Sequence, residues 1–89
     1  MPATIITRIQ TGDYDRWRPL FDQDVPRARE LASSVRVLRG VEDPHHVFIV
    51  LEFASVADAE ESARRLRESG VLARFSDVHG PNVLVDAGA

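Results

Sequence analysis

The run Val47-Phe48-Ile49-Val50-Leu51-Glu52-Phe53 is apolar at every position but one. It is rich in β-branched and aromatic residues, too short for a membrane span, and preceded by the turn residues Asp43-Pro44, so it reads as a strand within the segment His46 to Phe53. Side chains alternate across a strand. Val47, Ile49, Leu51 and Phe53 therefore share one face while Phe48, Val50 and Glu52 share the other. A strand of this kind needs cover on both faces, unlike one with a wet face. A chain of 89 residues holds one modest core. Cover for the second face is thus expected from association.

The rest of the chain supplies partners for that strand. Thr4 to Ile9 is short and β-branched, and Thr11-Gly12-Asp13 closes it with turn chemistry, which predicts a first strand. From Trp17 the apolar positions Leu20, Phe21, Val25, Ala28, Leu31 and Ala32 keep helical spacing for more than four turns, with Asp13 or Asp15 as cap. Pro19 fits if its missing N–H falls in the first turn. Pro26 should kink or split the helix, with Asp24 as a second cap. Ser34 to Arg39, ended by Gly40, predicts a second strand that forms a hairpin with the third. Ser55 and Asp58 resemble a capping box ahead of the stripe Val56, Ala59, Ala63 and Leu66, a helix ended by Gly70. Val71 to Phe75 reads as an extra turn, and Gly80-Pro81 introduces a last strand from Asn82 to Asp86. The order strand, helix, strand, strand, helix, strand predicts an α+β, ferredoxin-like βαββαβ fold over residues 1–89 as one domain, its antiparallel sheet carrying both helices on one face. The uncovered face is expected to pair with that of a second copy in a two-fold homodimer, the alternative being a monomer with a partly apolar exposed sheet.

Composition excludes several functions. With no cysteine, disulfides, thiolate zinc sites and sulfur nucleophiles are out. A net charge of −3 argues against non-specific nucleic-acid binding, which needs a basic surface. No apolar run is long enough for a membrane span and no basic segment precedes an apolar one at the N-terminus, so a cytoplasmic protein is expected. No phosphate loop, serine motif or paired catalytic carboxylates occur.

Asp13-Tyr14-Asp15-x-Trp17-x-x-x-Phe21, then Arg39 and Asp43-Pro44, a Val-rich strand ending Glu52-Phe53 and an Ala-rich helix together resemble the dimeric α/β-barrel superfamily. Within it the similarity is to small proteins labelled polyketide cyclase-like or antibiotic biosynthesis monooxygenase-like. The resemblance implies a cavity between the sheet and its own helices, lined in the cofactor-free oxygenases by Trp, Tyr, Asn and Arg. Tyr14 and Trp17 align with a recurring motif. Arg39, His79 and Asn82 match by residue type. The haem-degrading branch is less similar, because it carries an axial His on the later helix and Val56 to Glu68 contains none.

Each candidate has a functional and a structural reading. Tyr14 and Trp17, one turn apart, would form an aromatic wall offering a phenol and an indole N–H, or else a packed lid on the core. His79 beside Gly80-Pro81 would act as a general base at the cavity mouth, or stand as a solvated loop residue. His45 and His46 with Glu42 and Asp43 are metal-ligand types, but adjacent residues of a strand point to opposite faces, so they read as a polar loop and no metal is expected. Arg8 and Glu52 would pair in the dimer seam, as a register device or a catalytic pair. The expected function is binding of a small aromatic or polyketide-like molecule. Catalysis, if present, would be cofactor-free monooxygenation or cyclisation with His79 and Tyr14 as catalytic groups and Trp17, Arg39 and Asn82 as ligand contacts. The alternative is a non-catalytic dimeric module that binds a ligand or a partner protein.

Overall fold

The computed structural model describes residues 1–88. Strand β1 (Ala3–Gln10) is followed by helix α1 (Tyr14–Gln23), the hairpin strands β2 (Ser34–Arg39) and β3 (His46–Phe53), helix α2 (Val56–Ser69), a 3-10 turn (Val71–Arg74) and strand β4 (Val78–Leu84). The sheet order is β2-β3-β1-β4 with every neighbouring pair antiparallel, which is the ferredoxin-like arrangement. Alternation decides what each face carries. Ile5 and Ile9 of β1 with Val47, Ile49, Leu51 and Phe53 of β3 point to the helices and are buried. Their alternates form rows on the open face, Leu38–Phe48–Arg8–His79 and Arg36–Val50–Ile6–Asn82. Among the described residues no helix is long and apolar enough to cross a membrane.

Helix α2 behaves as its sequence predicts. Ser55 caps it by accepting from the Asp58 N–H at 3.1 Å, and Gly70 ends it in the left-handed conformation at φ 73°. Ala59, Ser62 and Ala63 are its buried face, and the small side chains let the helix lie directly on β1, β3 and β4. On the opposite face Arg64 and Arg65 hydrogen-bond Glu61, holding its carboxyl at about 2 against an ordinary 4.5. A carboxyl depressed by folding stabilises the folded state fully above pH 4.5 and loses that contribution as the pH falls through about 2. In Glu61→Gln, acid titration followed by circular dichroism is expected to show a flatter decline across that window.

The first helix is shorter than its apolar periodicity predicts. Asp13 caps it, accepting from the Arg16 N–H at 3.2 Å, and it stops at Gln23 because Asp24 turns left-handed at φ 45°. Pro19 therefore sits inside the helix and not in its first turn, a correction to the position read from sequence. Residues 24–26 and 28–31 are turns, so the second helical segment expected behind an Asp24 cap does not form; the Asp24 carboxylate instead accepts from the N–H groups of Ala28 and Arg29 within the turns, each at 3.1 Å. The buried Ser62 hydroxyl donates to the Ala28 carbonyl, and Arg65 reaches the Arg27 carbonyl at 3.1 Å, so α2 anchors this segment. Ser62→Ala leaves a buried carbonyl without its partner and is expected to cost about 1–3 kcal/mol in urea unfolding.

Strand β4 also departs from expectation. It begins at Val78, four residues before the anticipated Asn82, and carries Gly80-Pro81 inside it. Proline is tolerated there because β4 is an edge strand and its pairing with β1 shifts register between Ile6 and Arg8. Gly80 permits the shift: at φ 99°, a Cβ on it would stand 2.6 Å from the Ile6 carbonyl oxygen.

Candidate functional site

The two helices meet the sheet differently. Helix α2 lies close, whereas α1 reaches the core through aromatic side chains and its backbone stands farther off. Trp17 is 7% exposed, its ring 4.9 Å from Phe21 and 5.7 Å from Tyr14. Arg29 lies over the far side of this ladder, 4.1 Å from the Phe21 ring, and Arg39 lies 3.7 Å from the Tyr14 ring. The gap that these long side chains leave between α1 and the sheet is a partly open cavity of about 110 Å3. Ile9, Ile49 and Leu51 form its floor, Trp17 and Phe21 one wall, and Leu72 and Phe75 of the turn after α2 another. Its only polar lining residues, among those described, are Thr7, Asp24, Arg29 and Arg74. An apolar hollow with a few polar groups is the general form of a small-molecule site. Drug-sized ligands occupy ~300–1,000 Å3. This cavity is of the same order as the ~150 Å3 apolar cavity that accepts benzene, and being open on one side it suits a guest of one ring.

Of the residues picked out from sequence, Trp17 lines the cavity. Tyr14 is half-buried at the other end of the ladder, where its hydroxyl accepts from Arg18 at 2.9 Å and its N–H donates to His45 Nδ1 at 3.1 Å. The bond to the phenol raises the Arg18 pKa above its ordinary value. Arg39 is committed to Tyr14 and, through Nε, to the Pro44 carbonyl at 2.8 Å. His79 and Asn82 lie on the opposite side of the sheet, because β4 includes them and its register shift between Ile6 and Arg8 puts both in the open-face rows with Arg8 and Ile6. The structure thus does not bring Tyr14, Trp17, His79, Arg39 and Asn82 together around one cavity in a single chain.

The hairpin histidines also have local partners. His45 takes the Tyr14 N–H, and His46 Nε2 accepts from Arg8 at 2.8 Å. Arg8 also donates to Asp77 at 3.1 Å and does not pair with Glu52 within the chain. Both residues are on the open face, but Arg8 stands opposite Phe48 whereas Glu52 stands opposite Thr4, four residues along the strand. Register, which composition does not reveal, separates them.

Arg29, Asp24 and Phe21 were not legible as site residues. Arg29 reaches the cavity because the chain leaves the helix at Asp24 and folds back, so the periodicity of α1 does not predict its position. The signal available was the conjunction of Asp24 and Pro26, a cap followed by a helix breaker.

The sequence matches no family model, and no curated protein is similar enough to stand as a relative. Among solved structures the chain is similar to that of Rv0793 from Mycobacterium tuberculosis, with a TM-score of 0.62 and 16% identity over 99% of this chain and 100% of that one. At that identity the likeness bears on the fold alone, and it agrees with the ferredoxin-like topology.

Proposed function

We propose that this protein is a small-molecule-binding homodimer of the dimeric α/β-barrel kind, each protomer holding one compact aromatic ligand in the cavity between α1 and the sheet. The observation that carries this reading is the cavity itself, apolar and walled by Trp17, Phe21 and Phe75. Binding is favoured over catalysis because His79 and Tyr14 do not line it, and its polar groups are confined to Thr7, Asp24, Arg29 and Arg74 among the described residues. Its size narrows the ligand from the polyketide-like class to a single ring. Dimerisation is supported by the open face, where Leu38, Phe48, Val50 and Ile6 form an apolar patch that no helix among the described residues covers. Four strands ~4.8 Å apart and six residues long give that face a flat footprint of roughly 300–400 Å2 before side-chain relief. Two such faces bury roughly 600–800 Å2 before that relief, below the ~1,600 Å2 of a standard interface, so the dimer relies on side-chain relief for the remainder.

Titration with toluene, followed by Trp17 fluorescence, tests the binding half. A saturable change is expected, and Leu72→Trp, read by the displaced ligand's nuclear magnetic resonance line width, should abolish binding by filling the cavity. A linear response in the parent protein, or undiminished binding in the filled variant, would place toluene elsewhere.

A further inference from the structure

We propose that the cavity selects an aromatic ligand bearing a carboxylate, and that Arg29 is the group that receives it. This rests on the reading that the cavity binds a one-ring ligand, and adds which rings it prefers.

The charge at the cavity is unbalanced. Its lining holds two arginines, Arg29 and Arg74, against one acid, Asp24. That acid is already engaged: its two carboxylate oxygens accept the backbone N–H groups of Ala28 and Arg29. It also forms an ion pair with the Arg29 side chain, 3.6 Å from Nε and longer than a hydrogen bond. Arg29 has five N–H donors. Through Nη2 it donates to the Phe21 carbonyl, while Nε is buried without a hydrogen-bond partner. The side chain is 19% exposed and its guanidinium is stacked on Phe21. The result is a cation held by an aromatic ring, one carbonyl and a long ion pair to Asp24, in largely apolar surroundings, with donors left over.

A hydrocarbon guest would fill the hollow and leave those donors unpaired, which is costly where water is excluded. A carboxylate on the ring would accept from the guanidinium in charge-assisted bonds, stronger than neutral ones and better still in a low-dielectric setting. The Phe21 ring beneath it and the bond to the Phe21 carbonyl restrain the guanidinium, so the ligand finds its counter-ion already placed. Arg74, exposed on the 3-10 turn, contributes to the local field without that restraint.

The test compares benzoate, benzamide and toluene by Trp17 fluorescence at fixed ionic strength, in the parent protein, Arg29→Gln and Arg74→Gln. Benzoate is expected to bind at least tenfold more tightly than its neutral isostere benzamide. Arg29→Gln should bring the ratio close to one, whereas Arg74→Gln should leave the ratio within about twofold. If toluene saturates but benzoate is no tighter than benzamide in the parent protein, anion selection is overturned and the cavity reading stands. That comparison needs no variant, so it decides even if Arg29→Gln fails to fold. If Arg74→Gln and not Arg29→Gln removes the preference, the assignment to Arg29 is overturned. Saturation by none of the three would overturn the cavity reading itself, and this inference with it.

Discussion

Ile6→Glu is expected to keep its fold and to run as a 9.9 kDa monomer where the parent protein runs at twice that mass. Ile6 lies on β1, a central strand, with Val50 directly across on one side and Asn82 on the other. Neither cross-strand neighbour is a cation, and Arg8, two residues along β1 on the same face, is already engaged by His46 and Asp77. In a two-fold dimer packed through this face, each copy would bury one new carboxylate, and the effective penalty for burying an unpaired ion is several kcal/mol. Two such charges should weaken association by at least about 4 kcal/mol, roughly a thousandfold. In the separated chain the same carboxylate is in water and costs little beyond its lower strand propensity, so the circular dichroism spectrum should hold. Sedimentation equilibrium at micromolar concentration reads the outcome. A parent protein at 9.9 kDa, or a variant as dimeric as the parent, would remove the open face as the interface.

The largest loss of stability is expected from Phe53→Ala. Phe53 ends β3 on the helix-facing side, is 2% exposed, and is among the largest fully buried side chains. Its removal deletes a packed ring and leaves a cavity that the sheet cannot close, a cost of about 3–5 kcal/mol. A domain of this size has about 4–13 kcal/mol of stability in all. The midpoint of thermal unfolding should fall by about 15 °C or more. Phe48→Ala, five positions earlier on β3 and of opposite parity, removes the same ring from the open face, where Phe48 is only half-buried. It should cost the isolated chain much less and act mainly on association. Equal losses for the two variants in urea unfolding at low protein concentration would contradict the facing assigned to β3.

These two residues show what patterning makes readable. The parity of β3 sorts Phe53 from Phe48 without coordinates, and both hairpin strands, the Ser55 cap and the Gly70 stop of α2 follow from residue types at fixed spacings. Patterning fails where the chain turns. Ala28 and Leu31 continue the helical spacing of Trp17 and Phe21, and they do pack toward the core, yet they arrive there from turns because Asp24 has left the helix. Leu20 and Val25, on the same expected stripe, are 54% and 74% exposed. His79 reads as a loop residue because Gly80-Pro81 is turn chemistry, and only the register shift beside Ile6 explains how a strand runs through that pair. The site suffers most from this. Trp17 is legible as an aromatic at the start of an amphipathic helix, whereas Arg29 depends on a reversal of direction that no periodicity records.

The central claim is that the space between α1 and the sheet is a binding site. Toluene titration monitored through methyl carbon and proton resonances addresses it directly, because isoleucine, leucine and valine methyls sample both faces of the same sheet. Shifts confined to Ile9, Ile49, Leu51, Leu66 and Leu72, with Ile6, Val50 and Leu38 unmoved, are the predicted result. Shifts concentrated on the open-face methyls, or none at saturating toluene, would contradict it.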